Sequence, residues 1–510
     1  HQSDCNWQVS SILGKRPTMR IVALICSIVQ LLYIAEANES LSQEQLLKLG
    51  DAALVSDDLD TAMGYYKRGI ENIKDEDSIS TPLSLYTNLG TAYSSTGNEE
   101  EAKKMYRKAI IYHSKKIEDI EEQSAQKEAT DIAAQASFFL GMTLQELGSN
   151  QKAADAYAYA NTLDPNHWSS LANLGSVLQD SLNMPAEAMA VYYKAYDILS
   201  QSEVEPTDPP EHPRSIRSQL QYRIGLAINF SREQKCVMRD DPDKEVPCSE
   251  LAASAFNTAV QLDPDNEDAK HMLASVTTDA TMRRASNTYV TDLFERYAEN
   301  FEHSLVEELG YDGFERLRLV FDRVFGENKT PTFEKTLDAG CGTGLAGEQF
   351  RNISDTLVGI DLSPSIIEEA KKLRPNLYDT TQVGDFIEIF RSMKPISLII
   401  AADSYIYFGD LVPLFQAMKD GLADGGIVAF TLENVSEEDE KRLNKMKPDW
   451  KWQLTPSGRF AHRYDYVEAV AKESMLTTLR YEQMDAFRKE GSGDVSGHVF
   501  IMQKQTDKEL

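Results

Sequence analysis

The sequence predicts two architectures in series: an all-α solenoid of paired helices, then an α/β domain with a doubly wound, mostly parallel sheet. Three observations carry this reading. A Leu-Gly, Ala, aromatic, small-residue pattern recurs between about residues 41 and 277. After Pro331 the texture changes to short apolar strands alternating with helical stretches, the pattern of a parallel sheet. The first such strand runs into an acidic, glycine-punctuated turn, Leu337-Asp338-Ala339-Gly340-Cys341-Gly342-Thr343-Gly344.

The N-terminus comes first in chain order. Met19-Arg20 precedes an apolar run, Ile21 to Ile34, and then Ala35-Glu36-Ala37. A basic start, a short apolar core and a small-residue cleavage site over 19–37 predict a secretory signal peptide. The run is short for a bilayer span, so a signal anchor is the alternative, and a membrane partner follows only if the segment stays uncleaved. Residues 1–18 carry no motif, and Met19 can serve as an initiator. The expected location is the secretory pathway, with the cytoplasm as the alternative. The final Asp507-Lys508-Glu509-Leu510 scrambles the Lys-Asp-Glu-Leu signal; read as one, it would retain the chain in the endoplasmic reticulum lumen.

In the first half the repeat reads Leu49-Gly50, Ala62, Tyr66, Gly69, then Leu89-Gly90, Ala102, Tyr106, Ala109. It returns as Leu140-Gly141, Ala153, Tyr157, Ala160, and as Leu174-Gly175, Ala188, Tyr192, Ala195 with one extra residue between its helices. The last copy starts at Ile224-Gly225 and resumes at Ala252, Phe256, Ala259 after an insertion. Gly and Ala let paired helices approach, aromatics fill the gap, and proline ends the second helix. These units resemble tetratricopeptide repeats. The resemblance implies a concave face that docks a protein or peptide partner, with a spacer or dimerisation surface as the alternative. Cys236 and Cys248 bracket the polar insertion, where a disulfide forms in an oxidising lumen; two free thiols in a loop are the other reading. Neither belongs to a CxxC pair and no histidines cluster nearby, so no metal site is expected.

From Tyr289 to Leu305 apolar residues recur at helical spacing. Strands are expected at Lys335–Ala339, Thr356–Ile360, Asn376–Val383, Ser397–Ala401, Gly426–Leu432, Thr477–Asp485 and His498–Gln503. Ser363–Leu373 and Leu411–Leu422 read as helices, the first opening on a Ser-Pro cap.

The chemistry lies at the strand ends. Gly342-x-Gly344-x-x-Gly347 satisfies a dinucleotide fingerprint, which alone is a weak signal. Three acids favour S-adenosylmethionine instead. Asp338 can orient the glycine loop and meet the cofactor's ammonium, where a pyrophosphate would be repelled. Asp361, ending the second strand, can take the ribose hydroxyls. Asp385 can accept from the adenine amino group, with Phe386 lining the base. One acid after each of three strands suits a cationic nucleoside without phosphate. The net charge of −29 also disfavours nucleic acid as a partner.

The second half thus resembles the class I, Rossmann-like S-adenosylmethionine-dependent methyltransferases over about 285–505. Further supporting stretches are Tyr289-x-x-x-Leu293-Phe294-x-x-Tyr297 and Ser457-Gly458-Arg459-Phe460-Ala461-His462. The resemblance implies a seven-stranded, mostly parallel sheet with an antiparallel last strand. It implies cofactor binding by Asp338, Gly340, Gly342, Gly344, Asp361, Asp385 and Phe386. Asp403, after the fourth strand, lies where acceptor meets methyl in that fold. His462, close to Arg459 in a glycine-bearing loop, is a candidate base or acceptor contact, or an ordinary loop histidine. Tyr297 and Phe301 either cover the cofactor or pack in the core. The implied function is methyl transfer to an unidentified protein or small acceptor, with the array docking substrate or partner. The alternative is a repeat-based scaffold whose methyltransferase-like domain does no chemistry.

Overall fold

The computed structural model describes residues 41–506 apart from 75–77, 202–214, 232, 240, 278–280, 298–301, 303–309, 327–330 and 491–492. The signal segment at 19–37, Phe301 and the tail 507–510 lie outside the described residues. Two compact units divide the chain: residues 1–236 with 258–265, and residues 237–257 with 266–510.

In the first unit the repeat residues build antiparallel helix pairs. Gln43–Val55 pairs with Leu59–Glu71, Ser80–Ser95 with Glu99–Lys116, Gln123–Glu146 with Asn150–Leu163, and Trp168–Ser176 with Pro185–Ser200. Each Leu-Gly glycine meets the tyrosine of its own unit. A Cβ added to Gly50, Gly90, Gly141 or Gly175 would stand 2.3, 2.7, 2.5 or 2.4 Å from a ring carbon of Tyr66, Tyr106, Tyr157 or Tyr192. The four tyrosines are essentially fully buried, so the glycine sets how closely the helices approach. The extra residue of the fourth copy is absorbed at Val177–Ser181, which winds as a π-helix in continuation of Trp168–Ser176. A one-residue insertion lengthens a helical turn in this way without breaking the helix. The last copy contributes Ile216–Asn229 and Cys248–Leu262.

The insertion between those two helices holds a two-stranded sheet, β1 (Lys235–Met238) with β2 (Asp241–Pro247). Cys236 and Cys248 are both disulfide-bonded. Cys341 is the buried free thiol among the described residues. Helix Glu267–Thr277, expected to close the array, groups with the second unit.

The second unit is built on nine strands: β3 (Phe333–Ala339), β4 (Ser354–Asp361), β5 (Thr380–Val383), β6 (Ile396–Ala401), β7 (Leu422–Glu433), β8 (Trp452–Leu454), β9 (Phe460–His462), β10 (Leu476–Glu490) and β11 (Gly493–Lys504). The continuous order is β10-β11-β7-β6-β3-β4-β5. β3 pairs in parallel with β4 and β6, and β11 runs antiparallel to both β7 and β10. The expected seven strands therefore form the continuous path, but the sheet is mixed and has nine. β9 pairs with β7 at Glu433–Ala461 and carries β8 beside it. Three-residue strands are too short for an alternating pattern to reveal them in sequence.

Core forms on both faces. Helices Phe386–Ser392, Val412–Gly421 and Tyr464–Glu473 bury one side against Ile399, Phe430 and Phe500. Helices Gly313–Phe325 and Leu345–Phe350 bury the other against Leu398, Ile400 and Ile501. Because β4 and β6 lie on opposite sides of β3, the order reverses there, and a crevice opens beyond the carboxyl ends of β3 and β6. Among the described residues no helix is long and apolar enough to cross a membrane.

Candidate functional site

The glycine turn forms one wall of that crevice. Gly340 and Cys341 donate their N–H groups to the Ile360 carbonyl at 2.8 and 2.9 Å, tying the turn to β4. Gly340 has φ +72°, and an added Cβ would lie 2.4 Å from Ser404 Cβ. Gly344, at φ +101°, begins helix Leu345–Phe350 with Leu377 Cδ2 2.7 Å from where a Cβ would stand. Both positions need the conformation and the space that glycine alone supplies.

A cleft lies against the turn. Gly340, Cys341, Gly342, Asp361, Phe386 and Asp403 all line it. Asp361 is buried at the end of β4; its two carboxylate oxygens accept from Gly342 N and Ser363 N, each at 3.0 Å. Burial raises its pKa, opposed by the backbone N–H donors of Ser363, Gly342 and Leu362. Three backbone donors on four lone pairs leave Asp361 able to accept from a hydroxyl in the cleft.

The other two acids sit differently. Asp338 is fully enclosed behind the turn and is not among the residues lining the cleft. Its Oδ2 accepts from Tyr378 Oη at 2.7 Å, while Oδ1 is buried without a hydrogen-bond partner. Burial pushes its pKa up to about 7. Asp385 caps helix Phe386–Ser392, its Oδ1 accepting from Ile387 N at 2.9 Å. Its Oδ2 pairs with Arg284 at 2.7 Å and accepts from Asn287 Nδ2 at 3.4 Å. Phe386 packs with Phe390, Tyr405 and Phe408 and presents an apolar wall to the cleft.

Asp403, Ser404, Tyr407 and Arg459 also line the cleft, Ser404 packed against Gly340 with its hydroxyl donating to the Ala339 carbonyl at 2.7 Å. Asp403 has the left-handed φ of +56°, and its N–H donates to Thr431 Oγ1 at 2.8 Å. Strained backbone of this kind clusters at functional sites. His462 was expected in a loop at the acceptor; it lies instead within β9, wholly buried. Its Nε2 is 3.3 Å from the Gly409 carbonyl and its ring parallels Tyr466. Burial drives its pKa down to about 3, and it does not line the cleft.

The segment before the sheet is latched over the strand ends by residues that periodicity did not single out. Arg284 holds Asp385. Glu295 accepts from Ser363 Oγ at 2.6 Å, from Ser365 N at 3.2 Å and from the Ser365 hydroxyl. Glu302 takes Arg374 in a two-pronged pair at 2.8 and 2.9 Å, and Arg374 also donates to the Thr343 carbonyl at 3.2 Å. Ala285, Val290 and Phe294 of this segment line the cleft. The signal in sequence was that Glu295 and Glu302 stand beside apolar positions at helical spacing. Tyr297 ends the helix Asn287–Tyr297. Among the described residues no cluster of His, Cys, Asp and Glu could hold a metal ion.

Residues 333–482 match the family model described as methyltransferase domain, and residues 83–110 match that of the tetratricopeptide repeat. An uncharacterized methyltransferase of Oceanobacillus iheyensis is 30% identical over 159 residues, covering 30% of this chain and 71% of that protein. Trans-aconitate 2-methyltransferase of Rhizobium leguminosarum is 24% identical over 147 residues, 28% of this chain and 56% of its own length. Among solved structures, the magnesium protoporphyrin IX methyltransferase of Synechocystis with bound S-adenosylhomocysteine aligns with TM-score 0.33 and 13% identity, covering 43% of this chain and 100% of that one. A tetratricopeptide-repeat protein with an unusual peptide-binding site aligns with TM-score 0.31 and 17% identity, covering 47% of this chain and 96% of that one.

Proposed function

The chain belongs to the methyltransferases, and we propose that it transfers a methyl group from S-adenosylmethionine to a protein or small acceptor that enters beside Asp403. The observation that carries this is the buried carboxylate of Asp361 on the cleft wall, locked to the glycine turn through Gly342 N. S-adenosylmethionine is the methyl donor; when bound it would supply a methyl on a sulfonium, open to in-line attack by an acceptor's lone pair with the neutral thioether, S-adenosylhomocysteine, as the leaving group. The residues present fit it. Asp361 would take the ribose hydroxyls, Phe386 would line the base, and Gly340 and Gly342 would let backbone approach the ligand.

Asp338 would act from behind the turn, as a support for the loop. Asp385, committed to Arg284 and its own helix cap, would shape the base pocket through Arg284 and Phe386. The chain's further tasks are alignment and exclusion of water, which the latched segment with Val290 and Phe294 performs. Asp403 is the group placed to take a proton where the acceptor carries one.

The repeat array is the docking surface for a protein or peptide partner or substrate. The disulfide-bonded Cys236 and Cys248 support residence in the oxidising secretory pathway. Fractionation of cells expressing the tagged full-length chain tests that; a cytosolic product would overturn it.

Isothermal titration of the full chain with S-adenosylmethionine tests the enzyme reading. Wild type is expected to bind and Asp361→Ala to lose at least tenfold in affinity. No binding by wild type would leave the repeat-based scaffold as the function.

A further inference from the structure

The chain carries a net charge of −29, yet one strip of the repeat array is basic. Three consecutive helices build it, Leu59–Glu71, Ser80–Ser95 and Glu99–Lys116. Met63, Lys67 and Ile70 recur at i, i+4 and i+7 and so share one face of the first helix. Tyr86 and Tyr93 share a face of the second, two turns apart. Lys108 and Tyr112 stand one turn apart on the third.

The three faces meet. Met63, Ile70, Tyr86 and Tyr93 are half-buried and pack against one buried cluster around Ala62, Tyr66 and Leu89. The rings of Tyr86 and Tyr112 have centroids 6.4 Å apart. Lys67 Nζ lies 5.1 Å from the Tyr93 centroid, and Lys108 Nζ lies 5.9 Å from that of Tyr86. Both lysines are exposed, and among the described residues neither pairs with a carboxylate. Lys103 and Lys104 show the contrast, committed to Glu100 and Glu101 at 2.6 and 2.5 Å. An ammonium over a ring face keeps its outward N–H donors for an anion. Half-exposed tyrosines under two such ammoniums give an apolar floor between charges of one sign.

We propose that this strip binds an extended acidic peptide segment in which two carboxylates flank an apolar residue. Lys67 and Lys108 would take the carboxylates, and Tyr86 and Tyr93 would receive the apolar side chain. Two helical turns separate the tyrosines, about 10 Å, which an extended chain spans in about three residues. The segment therefore reads Glu-apolar-x-Glu or its aspartate equivalent. The negative charge of the rest of the chain repels such a segment and leaves the basic strip as the surface that attracts it. The inference rests on reading the array as a docking surface and names the chemistry of what docks there.

Fluorescence anisotropy with the full chain tests it, using short labelled peptides blocked at both ends. One carries Glu-Leu-Ala-Glu between Ser-Gly flanks; the second has Gln, and the third Lys, in place of both glutamates. The Glu peptide is expected to bind about fivefold more tightly than the Gln peptide at low salt, as two exposed ion pairs provide, and the advantage should shrink as salt is added. The Lys peptide should bind more weakly than either. Replacing the leucine of the Glu peptide by serine is expected to weaken it several-fold. Lys67→Gln with Lys108→Gln is expected to abolish the preference for acid, and Lys67→Arg with Lys108→Arg to retain it. Lys127→Gln, at an exposed lysine of helix Gln123–Glu146, should change nothing. Glu and Gln peptides binding alike, or a preference that survives the Lys67→Gln and Lys108→Gln pair, would overturn the strip while leaving the array to dock peptides elsewhere. No binding by any of the three peptides would sink the docking reading beneath it as well.

Discussion

Tyr378 donates its hydroxyl to Asp338 Oδ2 across 2.7 Å, joining the loop before β5 to the end of β3 beneath the glycine turn. The bond lies in full burial, and the partner oxygen Oδ1 has no donor. The carboxyl therefore holds its proton in the native state up to about pH 7, against an ordinary 3.8. A folded pKa raised above the unfolded one contributes stability that is complete below the unfolded value and is lost as pH rises toward the folded one.

Asp338→Asn keeps the shape and removes the titration. Relative to wild type it is expected to gain stability as pH rises from about 4 to about 7, at about 1.4 kcal/mol per pH unit at most. Urea unfolding of both proteins across that range reads it; a difference independent of pH would show that Asp338 titrates normally. Tyr378→Phe, which strips the one side-chain donor, is expected to cost about 1–3 kcal/mol.

Gly340→Ala introduces a Cβ at φ +72° and 2.4 Å from Ser404 Cβ. The strain and the overlap together should cost about 2–4 kcal/mol and weaken S-adenosylmethionine binding. Adding Ser404→Gly relieves the overlap but not the backbone strain, so about half the stability should return. Full recovery in the double variant would place the whole cost in the contact.

What could be read from the sequence follows from how local its cause is. The repeat glycines and tyrosines were legible because each pair lies within one helical hairpin, as Gly141 and Tyr157 do. The glycine turn and Asp361 were legible because two strand ends with one acid each and three glycines in the turn between them admit few structures. Asp338 and Asp385 were found as residues, but their surroundings were not. Tyr378, which fell inside a predicted strand, and Arg284 reach them from segments 40 and 101 positions away (378 − 338; 385 − 284). His462 was misplaced because β9 is three residues long and its pairing with β7 sets its burial, which no pattern in Phe460-Ala461-His462 announces.

Glu295 fastens the helix Asn287–Tyr297 to the start of helix Pro364–Leu373 through Ser363 and Ser365. Burial disfavours its charged form, but the donors of Ser363 and Ser365 prevail and lower its pKa. Glu295→Ala removes all of these acceptors at once. Amide hydrogen exchange in 287–297 is expected to quicken at least tenfold, and S-adenosylmethionine affinity to fall several-fold, with global stability changed by about 1 kcal/mol. Unaltered exchange would mean that Val290 and Phe294 hold the segment by packing alone.

His462 and His498 are buried together: His498 Nε2 lies 3.1 Å from the His462 carbonyl, and its Nδ1 lies 3.0 Å from Tyr481 Oη. Burial lowers their pKa values to about 3 and about 4, against an ordinary 6.5. Both are therefore neutral in the native state across the physiological range, while the unfolded chain charges them below pH 6.5. Depressed folded values mean that stability is complete above 6.5 and is lost as pH falls toward about 4, with a slope of about 1.4 kcal/mol per pH unit for each histidine. His498→Gln removes one of the two titrations, so its acid unfolding curve between pH 6.5 and 4 should be shallower than that of wild type by about that slope. Chemical denaturation at half-unit steps measures it. Parallel curves would show that His498 reaches solvent and takes its proton within the native fold.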